Sequence, residues 1–105
     1  KIGSYTGTNS TNGPIVYTTD DGTATGTGGF EPAFLLIKGT QSTTQWLIID
    51  NKRSTSNPRN KALFANLNDA EGTNNSIDFF TNGFQPITTD GDSNRAETYI
   101  YLAIA

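Results

Sequence analysis

The stretch GGFEPAFLLIKGTQSTTQWLIIDNKR, residues 28–53, holds two dense apolar runs in an otherwise polar chain. The runs AFLLIK (33–38) and WLIID (46–50) are separated by the polar segment GTQSTTQ, and each has the length of one strand. Short apolar runs that are bounded by turn-forming residues are typical of buried strands. The stretch therefore predicts an antiparallel hairpin at the middle of a β-sheet.

Further strand signals follow the same pattern. Strands are predicted at 77–80 and 99–105, with a weaker one at 61–67, and PIVYTT (14–19) lies between two turn signals that favour a local hairpin. The run YIYLAIA (99–105) is, like AFLLIK, apolar on both alternating faces, whereas a strand with one wet face alternates apolar and polar residues. We expect both strands at the centre of a sheet that a second sheet, a long loop or a neighbouring subunit covers on its other side.

These signals predict an all-β fold in a single domain, residues 1–105. No stretch has the sustained 3.6-residue periodicity of a helix, so little or no helix is expected. Short strands separated by Gly-rich and Asn-rich turns favour an antiparallel β-sandwich, jelly-roll-like in type.

Composition excludes several classes of function. The net charge is −3, with no basic run, so nucleic acid is not an expected partner. The longest apolar run, 33–37, is far shorter than the ~20 residues that cross a bilayer, so no membrane insertion is expected. Cys and His are absent, which leaves only carboxylates such as Glu31, Glu71 and Glu97 for catalysis, and all three fall in predicted loops. The sequence predicts a protein that is not an enzyme.

The order of the motifs carries a resemblance to a known family. GFEPAFLLIK (29–38), WLIIDNKR (46–53), ALFAN (62–66), IDFFTNGF (77–84) and YIYLAIA together resemble a small β-rich domain of tailed-bacteriophage structural proteins. The resemblance implies a non-enzymatic virion protein, either a tail-fibre module for host attachment or a capsid decoration. Its partners would be other virion proteins, further copies of itself and possible host-surface glycans. The alternative is a carbohydrate-binding module of a secreted bacterial protein, because the same sandwich would serve that role.

Aromatic residues are the candidate ligand contacts. Tyr5 and Tyr17 lie among Thr and Gly, where exposure is expected, and an exposed ring can stack on a sugar. Trp46 opens a run that must be buried, so a core anchor is the favoured interpretation and a sugar platform the alternative. Phe30 and Phe84 each follow a Gly directly, which predicts anchors that pin a turn to the core.

One segment has the spacing of a calcium loop. In DGDSN, Asp90, Asp92 and Asn94 alternate as they do where side chains converge on Ca²⁺. The segment departs from the EF-hand pattern at Arg95, where that loop requires Gly, and no Glu follows at the twelfth position. A solvated turn is the favoured interpretation, with Ca²⁺ as the alternative, and no other cofactor is expected.

The two faces of the last strand suggest different roles. Tyr99 and Tyr101 are predicted to contact a partner, because Tyr suits interfaces that are part apolar and part wet. Ile100, Leu102 and Ile104, on the opposite face, are predicted to point into the core of the domain.

Overall fold

The computed structural model describes all 105 residues and consists of eight β-strands without a helix. In chain order the strands are β1 (Ile2–Thr6), β2 (Val16–Tyr17), β3 (Phe34–Gly39), β4 (Leu47–Asp50), β5 (Leu63–Phe64), β6 (Ile77–Phe80), β7 (Gly83–Pro86) and β8 (Thr98–Ile104). They form a five-stranded sheet in the order β1-β8-β3-β4-β5 and a three-stranded sheet in the order β2-β7-β6. The prediction of an all-β antiparallel fold is confirmed, and there is no helix that could cross a bilayer.

The predicted central hairpin is present. Phe34 at the start of β3 lies opposite Asp50 at the end of β4, and Ile37 lies opposite Leu47. The other edge of β3 pairs with β8 over six residues, so β3 is the middle strand of its sheet. The two densest apolar runs thus form the hairpin at the centre of the larger sheet.

A single hydrophobic core fills the space between the two sheets. Thirteen buried side chains form one cluster, to which the larger sheet contributes Leu35, Ile37, Leu47 and Ile49 among others. The smaller sheet contributes four: Val16, Ile77, Phe79 and Phe84. Phe84 is fully buried and Phe30 packs half-buried against the cluster, so both predicted anchors are confirmed.

The orientation of β8 is the reverse of the prediction. Tyr99 and Tyr101 point into the core with 0% and 4% of their surface exposed, whereas Ile100 and Ile104 point outward with 43% and 50% exposed. Leu102 lies half-buried on the same outer side. The side chains on both faces of β8 are large and mostly apolar. The alternation of residues therefore did not show which face points into the core. Tyr is accepted inside because protein groups can satisfy a buried hydroxyl.

The segment PIVYTT does not form the local hairpin that its turn signals favoured. Its two strand residues, Val16 and Tyr17, pair instead with Phe84 and Gly83 of β7, a strand that the sequence did not predict. The first thirty residues supply β1 to the larger sheet and β2 to the smaller one. They therefore complete both sheets at one edge of the molecule and do not form a separate covering sheet.

Candidate functional site

A cleft opens where the edge strands of the two sheets face each other. It lies between β1 and β2, has a volume of about 310 Å³ and is called here the edge cleft. Its polar lining comes from Lys1, Tyr17, Asp20, Asp21 and Tyr101, with apolar side chains between them. The volume falls at the small end of the range of ~300–1,000 Å³ for small-molecule sites.

The two tyrosines predicted as ligand contacts both line this cleft, but in different ways. Tyr17 is half-buried on β2. Tyr5, which was expected to be exposed, retains 8% of its surface, and its hydroxyl donates a hydrogen bond to the carbonyl of Ser93 at 2.6 Å. Burial also raises the pKa of Tyr5 well above its ordinary value. Tyr5 is therefore a core residue that forms part of the cleft wall, and Tyr17 is the accessible ring.

Tyr101 forms the floor of the edge cleft. Its side chain is almost fully buried, and its hydroxyl makes no hydrogen bond to the protein, unlike those of Tyr5 and Tyr99. Burial raises the pKa of Tyr101, so the hydroxyl stays protonated at neutral pH. A β-carbon at residue 3 would lie 2.8 Å from the Tyr101 hydroxyl oxygen, so the absence of a side chain at Gly3 is what lets the Tyr101 ring pack against β1. Tyr101 was predicted as a partner contact and not as a cleft residue.

Charged groups stand at the rim of the edge cleft. The Oδ1 atom of Asp21 accepts hydrogen bonds from the Thr23 hydroxyl at 2.8 Å and the Thr23 amide at 3.0 Å. Both bonds lower the pKa of Asp21, and the bond from the Thr23 hydroxyl has the larger effect. The Nζ atom of Lys1 donates to the carbonyl of Asp20 at 3.2 Å and so joins β1 to the loop after β2. Asp20, Asp21 and Lys1 thus give the rim charges of both signs.

A second feature is the outer side of the five-stranded sheet, called here the outer face. One row of aliphatic residues crosses all five strands in register. From β1 to β5 in the order of the sheet, the row is Ile2, Leu102, Leu36, Ile48 and Leu63. Ile2 is 78% exposed, and a shallow groove of about 120 Å³ runs between Leu36, Trp46 and Ile100. No third sheet packs on this side, and the other four residues of the row are half-buried.

Trp46 belongs to the outer face, so the expectation that it anchors the core is wrong. It is 39% exposed, and it directly precedes β4, in which Leu47 and Ile49 take the inner positions. Successive side chains of a strand point to opposite faces, so a residue next to an inward Leu47 must point outward. Its exposed indole lies beside the apolar groove.

The candidate calcium residues hold different parts of the chain together. Asp90 Oδ1 accepts a hydrogen bond from the Asp92 amide, and Asp92 Oδ1 accepts one from the Gln45 amide, both at 2.9 Å. Asn94 is fully buried, which a solvated turn does not explain: its Oδ1 accepts from the Thr8 amide at 2.8 Å. Burial has the largest effect on the pKa of Asp92 and raises it. The hydrogen bond from the Gln45 amide lowers the pKa, which remains raised on balance.

A polar pocket of about 240 Å³ lies in the loops between β4 and β5, lined by Arg53 and Lys61 among others. The guanidinium of Arg53 is already paired with Asp50 at 2.7 Å and with Glu71 at 3.2 Å. Because two carboxylates balance that charge, the pocket lacks the concentrated positive charge of an anion site. Glu97, another candidate carboxylate, accepts a hydrogen bond from Ser42 at 2.6 Å.

The fold and these surfaces define an all-β, two-sheet domain with an apolar outer sheet face and a polar cleft at its open edge. The chain belongs to the family described as Domain of unknown function (DUF7483), which it matches over residues 1–105. No curated protein and no solved structure matches it. Since the family description assigns no activity, the function has to be argued from the two surfaces.

Proposed function

We propose that this domain is a non-catalytic assembly module whose outer face packs against the outer face of a second copy of the chain. The observation that carries the proposal is the aliphatic row that crosses all five strands, from Ile2 to Leu63. Sheets bury an apolar face by packing it on another sheet about 10 Å away. A large apolar patch of this kind is typical of an interaction site.

The charges beside the row favour a second copy as the partner. A two-fold contact requires a surface that is complementary to itself. One side of the row carries Lys38, and the other carries Asp50, which together with Arg53 and Glu71 forms a cluster of one net negative charge. A two-fold axis along the row brings the Lys38 side of one copy over the Asp50 side of the other. Opposite charges then face each other around an apolar centre.

The size of the outer face indicates a weak contact that many copies strengthen. Five strands about 4.8 Å apart and three rows about 6.8 Å apart give a patch on the order of 500 Å². A stable dimer of standard size buries about 800 Å² on each partner. We therefore expect weak association of free domains and strong association where a particle holds many copies close together.

The proposed setting is the virion of a tailed bacteriophage, with the domain in a tail fibre or a capsid decoration. The support for this setting is the resemblance of the ordered motifs, together with the multivalency that a weak self-contact needs. Electron microscopy of purified particles labelled against the domain tests it. Label on the tail or capsid supports the virion setting. Co-purification with a secreted glycan-degrading protein, with unlabelled particles, would instead support the carbohydrate-binding alternative.

Sedimentation equilibrium tests the self-contact directly. From about 10 μM to 1 mM, a range that brackets a weak interface, we expect the average mass of the wild-type chain to rise. The emission of Trp46, which borders the groove, should shift to shorter wavelength over the same range because its surroundings become drier. Ile100→Asp places a charge on the outer face at an exposed site and should keep the chain monomeric.

The matched control is Leu67→Asp. Leu67 is 41% exposed, close to the 43% of Ile100, but it lies in the loop after β5 and outside the outer-face row. It should associate as the wild type does. A wild-type chain that stays monomeric throughout the range, or equal loss of association in both variants, would show that the outer face is not a self-contact.

A further inference from the structure

We infer that the edge cleft is a binding site for a neutral saccharide, with the Tyr101 hydroxyl as the hydrogen-bonding group at its floor. The cleft opens between β1 and β2 and adjoins the outer face, with which it shares Ile2 and Tyr101. Ile100, the residue changed to test assembly, does not line the cleft, so Ile100→Asp tests assembly without changing the cleft. Each inference can therefore fail without the other.

The three tyrosines of the core differ in how their hydroxyls are bonded. The Tyr5 hydroxyl donates to the Ser93 carbonyl and the Tyr99 hydroxyl donates to the Gly91 carbonyl, both at 2.6 Å. Tyr101 is 4% exposed and its hydroxyl has no protein partner, but its oxygen is not among the fully buried unsatisfied atoms and opens into the cleft. A hydroxyl that opens into a cleft and is not bonded by the protein is free to bond a ligand hydroxyl.

The Tyr101 ring packs closely against the edge strand β1. Its cross-strand partner Gly3 lies so near the ring that a β-carbon at residue 3 would contact three of its atoms at 2.8–2.9 Å. Gly3 does not have a positive φ, so its backbone does not require glycine there. The lack of a side chain at residue 3 instead lets the Tyr101 ring lie against β1, with its hydroxyl at the cleft.

The chemistry of the rim also suits a sugar. A sugar offers hydroxyls that donate and accept hydrogen bonds and an apolar C–H face that stacks on an aromatic ring. Tyr17 supplies a half-buried ring, Tyr101 a donor, and the carboxylates of Asp20 and Asp21 supply acceptors. Oδ2 of Asp21 makes none of the hydrogen bonds that hold Oδ1 to Thr23. Because Lys1 adds positive charge to the same rim, charges of both signs are present and a neutral sugar fits best.

The test combines a glycan array with titration of the isotope-labelled chain by NMR. The titration probes are glucose, galactose, mannose and N-acetylglucosamine at up to about 50 mM, which nearly saturates a millimolar site. We expect the amide signals of Gly3, Val16 and Tyr17 to shift for at least one neutral sugar. Tyr101→Phe should weaken that sugar by about tenfold, the usual effect of one lost hydrogen bond in a buried site.

Two controls make the outcome decisive. Tyr99→Phe removes a core hydroxyl that does not line the cleft and should leave the dissociation constant unchanged in the folded fraction. Glucuronate, the anionic counterpart of glucose, should bind more weakly than the neutral sugar. The inference is overturned if neither the array nor the titration detects binding, if the shifts fall outside the cleft, if Tyr101→Phe binds as the wild type does, or if glucuronate binds more tightly.

Discussion

Tyr5 and Tyr99 lie directly opposite each other on β1 and β8, and their rings stack with centroids 5.2 Å apart and an angle of 15° between the ring planes. Both hydroxyls donate to carbonyls of the turn before β8, that of Ser93 and that of Gly91. Phe84 from the smaller sheet meets the Tyr5 ring edge-on at 5.8 Å. This stacked pair therefore joins the edge strand, the turn and the opposite sheet.

Conservative substitution should separate the structural tyrosine from the cleft tyrosine. Tyr99→Phe removes the donor to Gly91 and the acceptor for the Arg95 amide, and we expect a loss of about 1–3 kcal/mol in the free energy of unfolding. Tyr101→Phe removes a hydroxyl without a protein partner and should change stability by less than about 0.5 kcal/mol. Urea unfolding measures both. Equal losses in the two variants would show that Tyr101 has an internal partner.

Asn94 should be among the polar residues most sensitive to substitution. Its Nδ2 donates to the carbonyls of Ser10 and Thr88, and its Oδ1 accepts from Thr8, so one buried amide holds two distant segments. Asn94→Ala leaves these groups without their partner and should cost at least about 2 kcal/mol. Asn94→Asp keeps the acceptor but loses both donors, and it should also destabilise the fold. Thermal unfolding measures both variants, and a loss below 0.5 kcal/mol in both (roughly the level of a surface change) would contradict this role.

Calcium is expected to have no effect on stability. Oδ1 of Asp90 and Oδ1 of Asp92 accept backbone hydrogen bonds, and the Asn94 amide is turned toward Thr8. Millimolar Ca²⁺ should therefore leave the melting temperature the same as chelator does. A rise in melting temperature that Asp92→Asn abolishes would show by mass action that the segment binds the ion.

The elements that sequence predicted best are those in which hydrophobic pattern and turn chemistry agree. The hairpin of β3 and β4 has two apolar runs and a polar connection of the right length, and it formed as expected. β2 has only two residues, which leave no periodicity to read, and β7 begins at Gly83 and ends at Pro86, two residue types that argue against a strand. Their position depends on long-range packing on Phe84, which local sequence does not encode.

The candidate site was harder to predict because it depends on which way apolar strands face. β8 is apolar on both sides, so the polar tip of Tyr suggested an interface, whereas carbonyls at Gly91 and Ser93 satisfy Tyr99 and Tyr5 inside. Only Tyr101 lacks such a partner, and that absence follows from the three-dimensional arrangement. Tyr5 and Tyr17 were each predicted as exposed ligand contacts, and both line one cleft, although Tyr5 does so from the core.

Two aspartates should give opposite dependences of stability on pH. Burial raises the pKa of Asp50, but the amides of Lys52 and Arg53 and the Arg53 side chain bond its carboxylate at 2.7–2.9 Å and lower the pKa on balance. A folded-state pKa below the unfolded value gives stability that is present above the unfolded pKa, about 3.9, and is lost as pH falls through the folded pKa. Asp50→Asn should therefore destabilise the domain at neutral pH and approach the wild type in acid.

Asp92 is expected to show the opposite dependence of stability on pH and serves as the control. Its burial, opposed by the hydrogen bond from Gln45 and reinforced by the charge of Asp90, raises its folded-state pKa. The raised pKa gives stability that is present below the unfolded value and is lost as pH rises through the folded pKa. Asp92→Asn keeps the acceptor for the Gln45 amide and removes the ionised form, so it should stabilise the domain at neutral pH and lose that advantage in acid. Urea unfolding between about pH 2 and pH 7 compares both variants with the wild type, and a change of the same sign in the two would contradict the assignment of the two carboxylates.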